Sequence, residues 1–173
     1  LNLMIFKNKR VEVVPIKIGL DTLKKLEENS LLIYFSQRTN SGKDIHKDQE
    51  KRLKENPEEK ITILLEKREN TMKIKEYLEK GDLENFAECL NKDWELKQKL
   101  SAKIAVRDEI FQVAMNNGAL GGRLCGAGSG GAYYFYCKEG KKDQVLNAIK
   151  PFIQMQMPFK IQRPEEQGGW YQT

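Results

Sequence analysis

The chain has 173 residues, 39% hydrophobic and 32% charged, with 30 basic and 25 acidic side chains and a net charge of +5. That length holds one ordinary domain, or one domain and an appendage, and the composition is globular rather than disordered. No apolar run reaches the roughly 20 residues of a membrane span, and no charged-then-apolar leader opens the chain.

Cys89, Cys125 and Cys137 are odd in number and lack C-x-x-C spacing. A disulfide framework or zinc site is not expected, and a reducing cytoplasm is the simplest setting. The charges are mostly interleaved, as in Glu66-Lys67-Arg68-Glu69, which reads as solvated helix faces rather than a stripe for nucleic acid. A modest positive excess also suits a phosphorylated ligand. The chain opens Leu1-Asn2-Leu3-Met4-Ile5-Phe6, without an initiator methionine or lead-in, and is expected to be a piece of a longer protein.

Residues 3–6 and 10–14 flank a polar turn at Lys7-Asn8-Lys9 and predict a β-hairpin ended by Pro15. Asp21 is the expected cap of a first helix. Leu31 to Phe35 is a continuous apolar run that predicts a buried strand, followed by a polar loop from Ser36 to Gly42. Lys43 to Leu53 predicts an exposed helix. Pro57 suits the first turn of the next one, with Ile61, Leu64, Leu65 and Met72 as its buried stripe. Gly81-Asp82 is expected to break that helix, with Asp82 capping another. Its apolar positions, Leu83, Phe86, Ala87, Leu90 and Trp94, recur at helical spacing. Val106, Ile110, Val113 and Ala114 give a further stripe over 106–117, and Gly118 suits the stop. His46, the only histidine, is expected to face solvent.

Gly118 to Cys137, "GALGGRLCGAGSGGAYYFYC", holds seven of the thirteen glycines. Gly126-Ala-Gly-Ser-Gly-Gly131 spells G-x-G-x-x-G, but that fingerprint needs a helix immediately after it. Here Ala-Tyr-Tyr-Phe-Tyr-Cys follows, an alternating aromatic strand, so a Rossmann site is rejected. A P-loop is rejected too, because no Gly-Lys-Ser/Thr follows. What remains is a glycine loop between strands 123–125 and 132–137. Either it is a wide turn needing positive φ, or it is a backbone nest for a phosphate, which the four glycines in six residues favour. Tyr133 to Tyr136 reads as core rather than a base-stacking platform, and Cys125 as a small buried strand residue. Residues 141–152 predict a helix and 158–162 a last strand. Hairpin, strand, helices, strand–loop–strand, helix and strand together predict an α+β fold, helices packed on an antiparallel sheet.

"GALGGRLCGAGSGGAYYFY" resembles the third conserved motif of the GHMP kinases, and "NKDWELKQKLSAKIAVRDEIFQVAMNNGALGGRL" resembles the helical segment of their heptose-phosphate kinase subgroup. The opening strands and "LLIYFSQRTNS" are similar to further parts of that subgroup, so the resemblance covers most of the chain. It implies a ferredoxin-like C-terminal domain at 21–173, with a strand pair at 1–20 belonging to or bordering an N-terminal kinase domain missing from this chain. It implies an ATP-dependent kinase, using Mg²⁺, that transfers the γ-phosphate to a hydroxyl of a sugar or heptose phosphate. Gly126, Ala127, Gly128, Ser129 and Gly130 are then the phosphate-side backbone candidates, with Arg38, Asn40 and Arg123 on the substrate side. No catalytic residue and no metal ligand is expected in this chain. Two departures stand out: Ser36-Gln37 replaces the family's Thr-Gly, and Asn40 occupies the position of a loop arginine, with Arg38 two residues earlier.

The family's Gly-Ser-Ser-Ala loop is missing here, so the isolated chain is expected to be inactive. The same resemblance predicts an apolar inter-domain face that drives dimerisation in isolation. Two readings from other classes compete: a stand-alone ferredoxin-like ligand-binding or regulatory module without catalysis, and a basic RNA-binding domain. No membrane or nucleic-acid partner is expected.

Overall fold

The computed structural model describes residues 1–36, 42–104, 108–128 and 130–161. Strands β1 (Asn2–Lys7) and β2 (Arg10–Pro15) pair antiparallel as a hairpin. Then come α1 (Leu20–Asn29), β3 (Ser30–Ser36), α2 (Gly42–Glu55), α3 (Pro57–Lys80), α4 (Leu83–Leu100) and α5 (Asp108–Asn116). The chain continues through β4 (Ala119–Leu124), β5 (Gly131–Cys137), α6 (Lys142–Ile149), a 3-10 turn at Lys150–Phe152 and β6 (Met155–Met157).

The second sheet has the order β4-β5-β3-β6, with every neighbouring pair antiparallel. Helices fill the β3-to-β4 and β5-to-β6 connections. That order and connectivity are ferredoxin-like, and the α+β class expected from the sequence is the one observed.

Both faces of this sheet are covered, which decides the role of the aromatic strand. Side chains alternate along β5. Tyr133 and Phe135 enter one core with Leu31, Ile33 and Trp94; Tyr136 enters the other with Leu26, Phe86 and Leu90. Tyr133 and Phe135 are fully buried, with ring centroids 5.3 Å apart. Burial of each such side chain stabilises the fold by about 2 kcal/mol. Tyr134 hydrogen-bonds Ser30 across the β3–β5 pair at 2.7 Å. The strand is therefore core, and no ring is left as a stacking platform.

The glycine pair at the start of the motif has a packing cause. A Cβ on Gly121 would lie 2.0 Å from the Ala87 carbonyl oxygen of α4, so only glycine lets helix and strand approach this closely. Asn91 fixes the same junction. Its Nδ2 donates to the Leu120 carbonyl at 3.1 Å, and its Oδ1 accepts from the Gly122 N–H at 2.9 Å. These bonds sit beside the register shift between Ala119 and Gly121.

Several sequence expectations need correction. The stripe Ile61, Leu64, Leu65 and Met72 is exposed, at 46–51% of each residue. The opposite face of α3 turns inward, with Lys60, Ile63, Asn70 and Leu78 buried. It meets α4 through polar bonds: Lys60 Nζ to the Lys99 carbonyl at 2.9 Å, and Asn70 Nδ2 to the Cys89 carbonyl at 2.8 Å. Apolar spacing misleads here because specific partners on α4 satisfy the polar groups of the buried face.

Helix α2 is not wholly exposed, because Ile45 is buried in the core. Asp21 does not cap α1: the cap position is Gly19, and Asp21 lies in the first turn. The strand before the glycine loop runs 119–124 rather than 123–125, and Cys125 is a partly exposed residue just past it. The last strand is Met155–Met157, pairing with β3, whereas 158–161 are not in a strand. The hairpin, the α3 start at Pro57, the Asp82 cap and the α4 stripe stand where the sequence puts them.

Candidate functional site

The glycine loop joins the ends of β4 and β5, which pair at their tips through a 2.8 Å bond from the Cys125 N–H to the Ala132 carbonyl. Gly126, Gly128, Gly130 and Gly131 have φ of 72°, 102°, 120° and 104°, and Ala127 is not in the positive-φ region. The alternation of sign from Gly126 to Gly128 is the backbone pattern that builds an anion-binding nest. No side chain larger than a methyl stands on residues 126–128.

Three elements support the loop. The first residue of α2, Gly42, approaches Ala127, with Cβ positions 3.8 Å apart. A 14-residue helix therefore starts at the loop with its positive end. Ile104 lies beneath Gly128, 3.1 Å from where a Cβ would be. Ile104 belongs to a turn held by Ser101, whose Oγ donates to Asp48 of α2 at 2.6 Å. That bond and the neighbouring Arg52 hold the Asp48 carboxyl below the usual carboxylate range.

The third support is Lys97 of α4. Its Nζ donates to the Gly126 carbonyl, and its stem passes beneath Gly128. Lys97 is 9% exposed. Burial, reinforced by the charge of Arg123, pushes its pKa down to about 8. Around it, Asp93 of α4 takes ion pairs from Lys67 of α3 and from Arg123 of β4, the latter at 2.5 Å. Three cations thus surround one buried carboxylate, which leaves positive charge under the loop.

Of the residues expected at the site, Gly126, Ala127, Gly128 and Gly130 form the loop. Arg123 lies at its entry with its guanidinium engaged by Asp93. Ser129, Arg38 and Asn40 lie outside the described residues. Sequence reading missed Lys97, Asp93, Lys67 and Asn91. The available signal was Asp93 and Lys97, charged residues four apart on the helix face that also carries Leu90, Trp94 and Leu96.

An apolar-walled hollow of about 220 Å³ lies between α2 and α3, lined by His46, Leu53, Lys60, Leu64 and Leu100 among others. None of its lining residues belongs to the glycine loop. Among the described residues, no helix is long and apolar enough to cross a membrane.

A four-stranded antiparallel sheet with a glycine loop between its β4–β5 hairpin strands defines a class. Residues 74–153 match the family of GHMP kinases, C terminal. Among individual proteins, the chain is 32% identical over 148 residues to the D-glycero-alpha-D-manno-heptose 7-phosphate kinase of Campylobacter jejuni, which covers 84% of this chain. The chain spans 42% of that relative's length.

Solved structures share the fold. The L. major mevalonate kinase, in complex with R-mevalonate, matches with a TM-score of 0.75 at 20% identity, covering 90% of this chain and 47% of its own. The D-glycero-D-manno-heptose 1-phosphate kinase of Bacteroides thetaiotaomicron matches with a TM-score of 0.62 at 23% identity, covering 92% and 41%.

Proposed function

We propose that this chain is the C-terminal part of an ATP-dependent sugar kinase acting on a heptose phosphate or a related sugar. The observation that carries the reading is the glycine loop, with φ alternating in sign, cations beneath it and a helix start beside it. The heptose 7-phosphate kinase relative supports the substrate class.

In this reading Gly126, Ala127, Gly128, Ser129 and Gly130 offer backbone N–H groups to the nucleotide phosphates. The chemistry ATP supplies is its γ-phosphoryl group, with Mg²⁺ neutralising phosphate charge. Among the described residues no three metal-ligating side chains come together. Mg²⁺ would enter with the phosphates. The chain's own part is electrostatic and geometric: fixed N–H dipoles of the loop face the phosphates without reorganising, and the cations behind the loop add positive potential without touching them. Arg38, Asn40 and Arg123 are assigned to the substrate side.

The domain division at 1–20 and 21–173 belongs to the same proposal. Met4 lies opposite Val13 and Phe6 opposite Val11, and all four side chains are more than half exposed. An N-terminal kinase domain on that face would cover it. A dimer through the face is the form expected of the chain in isolation, and a cytoplasmic setting suits the three free cysteines.

The test assays the 173-residue chain alone, and joined to its N-terminal kinase half, with MgATP and a panel of heptose phosphates, heptoses, galactose and fucose. No turnover is expected from the chain alone and phosphorylation of a heptose phosphate from the joined form. Phosphorylation by the chain alone would overturn the division of labour. Failure of the joined form on every sugar would overturn the substrate class.

A further inference from the structure

Lys97 is an expensive residue for this fold. It is 9% exposed, and the cations Arg123 and Lys67 reach the same carboxylate, Asp93, that lies one helical turn before it. A buried like-charged neighbourhood opposes the ammonium, and Asp93 already has two other partners. An apolar side chain of similar length would fill the same space at less cost. What Lys97 does make is a bond to the glycine loop, donating from Nζ to the Gly126 carbonyl.

That bond has a geometric consequence. The peptide joining Gly126 to Ala127 is trans, so its N–H points opposite to its carbonyl. Drawing the carbonyl inward, toward α4, turns the Ala127 N–H outward. Glycine at 126 offers little torsional resistance to rotation of this peptide, so the loop by itself does not fix the orientation. Gly128 lies over the Lys97 stem, with its Cβ position 3.4 Å from Cε, so the same side chain also sets the height of the loop. The Lys97 ammonium lies over the Trp94 ring, with Nζ 6.0 Å from the ring centroid.

We propose that Lys97 is a positioning residue, which holds the Gly126–Ala127 peptide with its carbonyl inward so that the Ala127 N–H faces an anion on the open side of the loop. The anion is a phosphate group, and this part of the proposal rests on reading the loop as a phosphate wall. Lys97 itself stays beneath the loop and does not touch the phosphate.

The test uses the 173-residue chain as wild type, Lys97→Met and Lys97→Arg, with inorganic pyrophosphate as the probe. Melting temperature reports the fold, the Ala127 N–H residual dipolar coupling reports peptide orientation, and amide shifts of residues 126–131 report binding. Lys97→Met is expected to melt at or above the wild-type temperature, with a changed Ala127 coupling and pyrophosphate binding at least tenfold weaker. Lys97→Arg, which keeps a donor and a charge, is expected to bind within about threefold of wild type; should Lys97→Met not fold, Lys97→Leu, also without a donor, replaces it.

An unchanged Ala127 coupling with affinity within twofold of wild type, in a folded variant, overturns the proposal. If wild type binds no pyrophosphate while the variant coupling still changes, the orienting role of Lys97 stands and the phosphate wall falls. The two readings therefore fail separately.

Discussion

Arg123 on β4 lies 2.5 Å from Asp93 on α4, and the carboxylate it meets also accepts Lys67 of α3. One buried side chain therefore ties two helices and a strand together directly behind the glycine loop. Asp93 is 5% exposed, whereas Lys67 and Arg123 keep 22% and 32% of their side chains in water. Replacing Asp93 by Asn leaves three cations without their shared counter-charge. The expected cost is about 3 kcal/mol, the low end for removing one partner of a buried pair because the other ends are partly solvated. Urea unfolding of Asp93→Asn at neutral pH checks it; a loss below about 1 kcal/mol would show that the ion pairs are not holding the three elements together.

The Gly121 contact predicts a sharper effect than glycine content alone. Gly121→Ala places a methyl 2.0 Å from the Ala87 carbonyl, where neither backbone yields without parting α4 from β4. A loss of about 3 kcal/mol or more is expected. Gly140→Ala is the control: φ is 73° but nothing lies within 4 Å, so backbone strain alone costs about 1 to 2 kcal/mol. Equal melting points for the two variants would contradict the close-packing account.

Lys97 gives the stability a pH dependence of known sign. Its pKa in the folded chain is down at about 8 from 10.5, through burial and the facing Arg123, against the opposing pull of Asp93. The unfolded chain therefore binds more protons between those values, and stability rises with pH across that window. Below about pH 8 the buried charge costs on the order of 3 kcal/mol, a cost relieved as the proton leaves. The stability difference, wild type minus Lys97→Met, should become more favourable to wild type from pH 8 to 10. Denaturant titrations of both proteins at several pH values measure it; a difference flat with pH would refute the buried-charge account.

Asp82 offers a simple check on α4. Its Oδ1 accepts from the Asn85 N–H at 3.2 Å and its Oδ2 from the Asn85 side chain at 2.7 Å. Asp82→Ala is expected to cost about 1 kcal/mol of stability. Asp82→Ser, which keeps an acceptor, should recover most of it in the same thermal melt.

Local chemistry made much of the fold legible in the sequence. Pro57, the Gly81-Asp82 break, the alternating hairpin and the aromatic strand after the glycines each act within a few residues, so they read directly. The strand after Gly131 by itself excludes a helix-opening nucleotide site. Tertiary structure decided which face of α3 is inside. Lys60 and Asn70 are buried because their partners are carbonyls of α4, 39 and 19 residues away, which periodicity cannot register. It likewise decided the underside of the loop. Lys97, Asp93, Lys67 and Arg123 lie on two helices and a strand, and only their convergence beneath Gly126 makes an electrostatic site of them. Short-range steric and capping rules were written in the chain; the pairing of buried charges came from packing.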